Sequence, residues 1–170
     1  MANEEPGCKK KVMIAIDESE CSHYALKWVL DHLQDFFPTS SLIIFTVQSL
    51  ADFAYLSAAS PVSGRMFCVA TNPELIKSVQ EHQRKAALAL LEKAKDICAT
   101  QGVVAETITE VGDPKEVICD AVEKFKINLL ILGSHGRGTL KRAFLGSVSN
   151  YCVNHCKCPV LVVKKQEEKA

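Results

Sequence analysis

Several features that would direct a functional search are missing from this chain. There is no surplus of charge: 20 basic residues face 20 acidic ones, so no global field recruits nucleic acid and any basic function is local. No apolar stretch reaches the roughly 18 residues that cross a bilayer. The start, MANEEPGCKK, has no apolar core of the signal-peptide kind. Ala2 stands where myristoylation needs a glycine, and QEEKA at the other end has no prenylation cysteine. The expectation is a cytoplasmic protein with neither membrane nor nucleic acid as partner. Two common nucleotide fingerprints are absent as well. No Gly-Lys-Ser/Thr ending marks a P-loop, and the first apolar run ends in DESE rather than in the glycine motif of a dinucleotide fold. Paired Cys-x2-Cys knuckles, the usual mark of structural zinc, are missing too.

What is present suits one soluble globular domain. The chain has 170 residues, 48% hydrophobic and 24% charged, enough to bury a sizeable core. A flexible arm is expected over 1–10, the domain over 11–165 and a frayed tail over 166–170. Short apolar runs at 11–17 (KVMIAID), 41–48 (SLIIFTVQ), 127–133 (INLLILG) and 159–165 (PVLVVKK) read as buried strands, and VVAETITEVG as a strand with one face partly exposed. Between them lie helical patterns. The first runs from an N-cap at Ser19 through Ala25, Trp28, Val29, Leu33 and Phe36 to Pro38. The second runs from Pro73 through Val79, Ala86, Leu90, Ala94 and Ile97 to a stop at Gly102. The third starts at Asp113-Pro114 and turns Val117, Ile118, Ala121, Val122 and Phe125 inward. A short fourth holds Val148, Tyr151, Cys152 and His155. Residues 49–72 show no period and read as a long exposed loop. The order βαβαβαβαβ predicts an α/β fold, a five-stranded parallel sheet with helices on both faces. Ligands of such sheets bind beyond the carboxyl ends of the strands, where strand order reverses. That places the candidate site at Asp17, Val47–Gln48, Gly112–Asp113 and Gly133 onward.

Eight cysteines is a high count. In a reducing cytosol they are free thiols, mostly small core fillers, and Cys98 and Cys119 fit that role. The stretch YCVNHCKC sets Cys152, His155, Cys156 and Cys158 within seven residues. On a helix 152, 155 and 156 share a face, but that face must also pack on the sheet. Buried thiols with one exposed, oxidisable thiol is the plainer reading, and no metal site is assigned.

The segment GSHGRGTLKRAFLGS, 133–147, carries the chemistry. Glycines let backbone N–H groups approach an anion, and a helix start adds free N–H groups and partial positive charge. Gly146-Ser147 opens the short fourth helix, and Arg137, Lys141 and Arg142 add local charge. From the residues alone two readings stand, a phosphate cradle or a structural turn. Asp17 likewise reads as a ligand group or as a cap on the first helix, and Asp113 as a cap. His135 is a lone loop histidine with no nucleophile paired to it, so no catalytic residue is assigned.

Gly-x2-Gly-x9-Gly-Ser after the fourth strand resembles the nucleotide-binding signature of the universal stress protein family. The likeness extends from about Lys11 to Lys165 through the aspartate ending the first strand, V-G-D-P, LLILGSHGRG, FLGSVS and CPVLVVK; the loop 50–72 lies outside it. The resemblance implies an adenine nucleotide alpha-hydrolase-like, Rossmann-like fold. It places Asp17 near ribose and adenine, Ala15 and Ile16 beside the base, and Val47 at the adenine edge. Leu132 and Gly133 fall beside ribose and phosphates, with Gly136, Gly146, Ser147, Val148 and Ser149 around the phosphates; Arg137 is added for its charge. The intact motif implies ATP, with ADP or AMP as other occupants and Mg2+ as companion, and a homodimer formed through the last strand, an apolar edge that invites pairing. Three functions compete: an ATP-dependent stress-response or signalling module, a slow ATPase lacking an evident general base, and a nucleotide-independent or redox-regulated chaperone or scaffold.

Overall fold

The computed structural model describes residues 9–49, 73–135 and 145–165. Five strands form one sheet: β1 (Lys10–Ala15), β2 (Ser40–Ser49), β3 (Ala105–Gly112), β4 (Leu129–Gly133) and β5 (Val160–Val163). Every pairing is parallel, and the strand order is β3-β2-β1-β4-β5. Among the described residues four α-helices lie in the connections: α1 (Glu20–His32), α2 (Pro73–Thr100), α3 (Pro114–Lys124) and α4 (Ser147–His155).

Parallel strands covered on both faces need apolar residues at successive positions, and β1 shows why. Val12, Ile14 and Ile16 join a core with Ala25, Leu26, Val29 and Leu30 of α1 and Leu91, Ala94 and Cys98 of α2. Met13 and Ala15 join the opposite core with Ile118, Ala121 and Val122 of α3 and Cys152 of α4. The period of two thus divides one strand between two helical layers. Fully burying each such side chain stabilises the fold by about 1.5–3 kcal/mol.

Local chemistry sets the helix ends. Ser19 caps α1 by accepting from the Ser22 N–H at 3.2 Å. Asp113 caps α3 by accepting from the Lys115 N–H at 2.9 Å, with Pro114 in the first turn. Gly102 takes φ +72° just past α2, a conformation that glycine adopts without a Cβ clash.

Four expectations are corrected. The first helix does not run to Pro38: α1 ends at His32, a 3-10 turn follows over Gln34–Phe36, and Phe36 is exposed. The ring of Phe36 therefore leaves the stripe that a continuous helix would have given it. The buried line of α2 is Ala87, Leu91, Ala94 and Cys98, rotated by about one residue from the expected one, with Leu90 and Ile97 at its edge. His155 is exposed and stacks on Tyr151 with ring centroids 4.0 Å apart, leaving Cys152 alone as the fully buried ligand type on α4. Cys119 is only half-buried, against Cys156. The loop 50–72, the tail 166–170 and most of the arm 1–10 lie outside the described residues.

Candidate functional site

The strand order fixes where a crevice forms. From β1 the chain moves outward to β2 and β3, then returns across the sheet to place β4 on the other side of β1. The helix after β1 covers one face and the helix after β4 covers the other. Their starts diverge above the carboxyl ends of β1 and β4, the switch point at which open α/β sheets bind ligands.

On the β1 side, Ala15 and Ile16 are buried. The Ile16 N–H donates to the Phe45 carbonyl at 2.8 Å, and the Ile16 carbonyl accepts from the Thr46 hydroxyl at 2.8 Å, so the strand end is held rigidly beside β2. Asp17 follows, half-buried. Its Oδ1 accepts from the Ser19 N–H at 2.9 Å and from the Ser22 hydroxyl at 2.8 Å. Asp17 therefore does bolster the start of α1, while its second oxygen has no hydrogen-bond partner among the described residues. Val47 lies on β2 in register with Glu110, half-buried. Gln48 is turned to Thr109, its amide donating at 3.2 Å, and Asp113 serves as the α3 cap.

On the β4 side, Leu132 is buried and pairs with Ala15. Gly133 permits the closest approach in the crevice. A Cβ there would stand 2.8 Å from the Cys21 carbonyl carbon and 3.0 Å from the Ser22 nitrogen, so the absent side chain lets α1 pack on the end of β4. Ser134 is buried, and its carbonyl is a hub that accepts from the Gly146 N–H at 2.7 Å and from the Ser149 hydroxyl at 2.9 Å. His135 follows, with Nδ1 3.1 Å from the Ser134 hydroxyl and its carbonyl accepting from the Ser19 hydroxyl at 3.3 Å. The 133–135 segment is thereby tied to both helix starts.

The start of α4 differs from those of α1 and α3. Its N-cap is Gly146, with no side chain to satisfy the first turn. The N–H groups of Ser147, Val148 and Ser149 have no acceptor among the described residues. Ser147 is exposed, Val148 packs at the edge of the core, and the Ser149 hydroxyl is buried and donates inward. Three free N–H groups and the positive end of a helix dipole form an anion-binding arrangement. Gly136 and Arg137, with Lys141 and Arg142, lie outside the described residues.

Sequence reasoning missed Ser22, Thr46 and Ser134. With Ser149 they are four of the five buried polar residues described, the fifth being Ser40, and all four brace this end of the sheet. The available signal was polarity in apolar surroundings: Thr46 inside SLIIFTVQ and Ser134 directly after LLILG. Lys165 was missed too. It reaches Glu20 at 2.6 Å, and that carboxylate holds its ammonium above the ordinary lysine value. A cleft of about 730 Å3 runs between α1 and α2 and touches Asp17 and Lys165 but neither β4 nor α4. Its walls combine Ala89, Leu90 and Ile97 with Lys27, Lys93 and Lys165, whereas the crevice presents the uncapped start of α4.

The molecule is thus a doubly wound α/β protein with a glycine-capped helix start at its switch point. Residues 9–164 match the Universal stress protein family, and the chain belongs to that family. It is 28% identical over 172 residues to the universal stress protein A-like protein of Arabidopsis thaliana, covering 93% of this chain and 91% of that one. It is 30% identical to universal stress protein YxiE of Bacillus subtilis, covering 91% and 98% of the two chains. Among solved structures, protein MJ0577 of Methanocaldococcus jannaschii superposes with a TM-score of 0.73 at 25% identity, covering 94% of this chain and 99% of that one. A universal stress protein family protein of Arabidopsis thaliana, solved with AMP bound, gives 0.63 at 25% identity over 94% of each chain.

Proposed function

We propose that this chain is an adenine-nucleotide-binding stress protein that takes ATP at the β1–β4 crevice and acts as a nucleotide-dependent response or signalling module. The observation that carries this is the uncapped start of α4. Where α1 and α3 use a serine and an aspartate, α4 has Gly146, and three N–H groups find no acceptor among the described residues; a chain of phosphates supplies such acceptors. The unpaired Asp17 oxygen suits a ribose hydroxyl donor, and the half-buried Val47 edge suits the base. AMP bound to the Arabidopsis structure supports an adenine nucleotide; ATP in place of AMP rests on the complete glycine-serine motif, and Mg2+ would accompany its phosphates. The fit extends to holding a nucleotide more readily than to cleaving it. The Ser149 hydroxyl is committed to Ser134, one Asp17 oxygen to α1, and His135 to its neighbour, so no general base is assigned and hydrolysis is slow.

A double substitution, Gly146→Val with Ser147→Ala, tests this reading. Nucleotide binding and any slow hydrolysis should vanish while a nucleotide-independent holdase or scaffolding activity would survive. ATP binding that persisted in the folded double variant would remove the phosphates from α4.

A further inference from the structure

We propose that Cys119, Cys152 and Cys156 form a three-coordinate thiolate site for a soft monovalent metal ion, Cu(I). The three sulfur atoms lie within 4.8 Å of one another, on two helices that the sequence separates by more than thirty residues. Cys152 and Cys156 are four apart at the end of α4, and the Cys156 N–H donates to the Cys152 carbonyl at 3.0 Å, which fixes both on one side. Cys119 faces them from α3, its Sγ 2.8 Å from that of Cys156.

The donor set selects the ion. Sulfur ligands alone favour soft ions over oxygen-seeking ones. Structural zinc takes four ligands, and among the described residues no fourth candidate joins the group. His155 directs Nδ1 to the Tyr151 carbonyl at 2.9 Å and stacks its ring on Tyr151. A trigonal ion with metal–sulfur bonds of about 2.3 Å needs sulfurs about 4 Å apart; the Cys119–Cys156 pair opens by about 1 Å to reach that, a side-chain rotation. Cys152 is fully buried and forms the floor, while the other two are half-buried and form the rim through which an ion enters.

Binding is an exchange. Thiol S–H bonds break, three sulfur–metal bonds form, the protons leave to buffer, and no electron moves. Burial pushes Cys119 up to about 12, and hydrogen bonding to Cys152, together with burial, raises Cys156, so an ion must displace protons that the free site holds firmly. A bound ion joins α3 to α4 at the end of α4 opposite the phosphate cradle, so the site is independent of nucleotide binding.

The test is an anaerobic titration of the reduced full chain with Cu(I) supplied as its acetonitrile complex, against a bicinchoninate competitor. One ion per chain should resist the competitor, and X-ray absorption should show a shell of sulfur only, in three-coordinate geometry. A chain with Cys8, Cys21, Cys68 and Cys158 replaced by serine should keep that ion. Cys119→Ser with Cys156→Ser, both half-buried and checked for unchanged circular dichroism, should lose affinity by more than the ~10–100-fold that outer-shell changes cost. Copper stripped from the wild type by the competitor overturns the proposal, as does retention by the double variant. A Cys119–Cys156 disulfide in protein handled without reductant, with no Cu(I) retained after reduction, assigns the trio to a redox staple instead.

Discussion

Gly133 carries more of the architecture than any other single residue near the crevice. An added Cβ meets the Cys21 and Ser22 backbone at 2.8–3.0 Å, and backbone cannot rotate aside as a long side chain does. Gly133→Ala should therefore destabilise the protein by about 1–3 kcal/mol, the range for overpacking a tight site, seen as a lower urea midpoint with an unchanged slope; an unaltered midpoint would show that α1 moves freely on β4. Titration gives a second residue-scale expectation. Burial pushes Cys98 up from its ordinary value of 9.0 to about 11. The folded state thus holds a proton that the unfolded state gives up first, and the contribution is intact below about pH 9 and lost as pH rises through 11. Cys98→Ala should flatten the decline of stability over pH 9–11 measured by denaturant titration. The sequence singled out Gly133 as a residue beside ribose and phosphates; its close approach to the Cys21 and Ser22 backbone was not legible, because it depends on how α1 packs. For Ser134 the sequence signalled only a polar residue after an apolar strand; that its carbonyl is the hub was not legible, since a carbonyl is the same in every residue.

At the scale of the element, α4 is a helix whose start is left open. Ser147 is exposed at its first position, so a carboxylate there meets the positive end of the dipole without displacing a neighbour. Ser147→Asp should raise thermal stability by the ~0.3–1 kcal/mol of a favourable dipole contact and at the same time weaken ATP binding sharply, because the carboxylate repels phosphate. Opposite signs in calorimetry and in titration are the diagnostic; stability and affinity falling together would mean that the substitution merely damages the helix. The elements themselves were legible because apolar runs of strand length alternated with patterns of helical period. The end of α1 was not. Leu33 and Phe36 fit a helical stripe on paper, yet the chain leaves the helix at His32 and exposes Phe36. A periodicity reads which side chains are apolar and does not record where the backbone must turn to reach β2. The same blindness grouped Cys152 and Cys156 with His155 and Cys158, neighbours in sequence, and passed over Cys119, which only the packing of α3 on α4 brings close.

For the whole molecule, strand order decides where function sits. The alternation of elements implied a parallel sheet, but β3-β2-β1-β4-β5 depends on the return across the sheet after β3, and it is this return that sets Asp17 and Gly133 side by side. It also leaves β5 at an edge with Val160, Leu161 and Val162 only half-buried. An apolar edge strand invites pairing. If two copies pair through β5, sedimentation at micromolar concentration gives twice the chain mass of 18.7 kDa; a single-chain mass would contradict pairing through β5. The central claim, that the crevice holds an adenine nucleotide, is tested most directly on the protein as purified. It is prepared without added nucleotide and denatured, the released small molecules are identified by mass spectrometry, and the emptied chain is titrated with ATP. The account predicts stoichiometric ATP, ADP or AMP on release, or saturable ATP binding in the micromolar range. An empty protein that also fails to bind ATP would contradict it and leave the open start of α4 without a ligand.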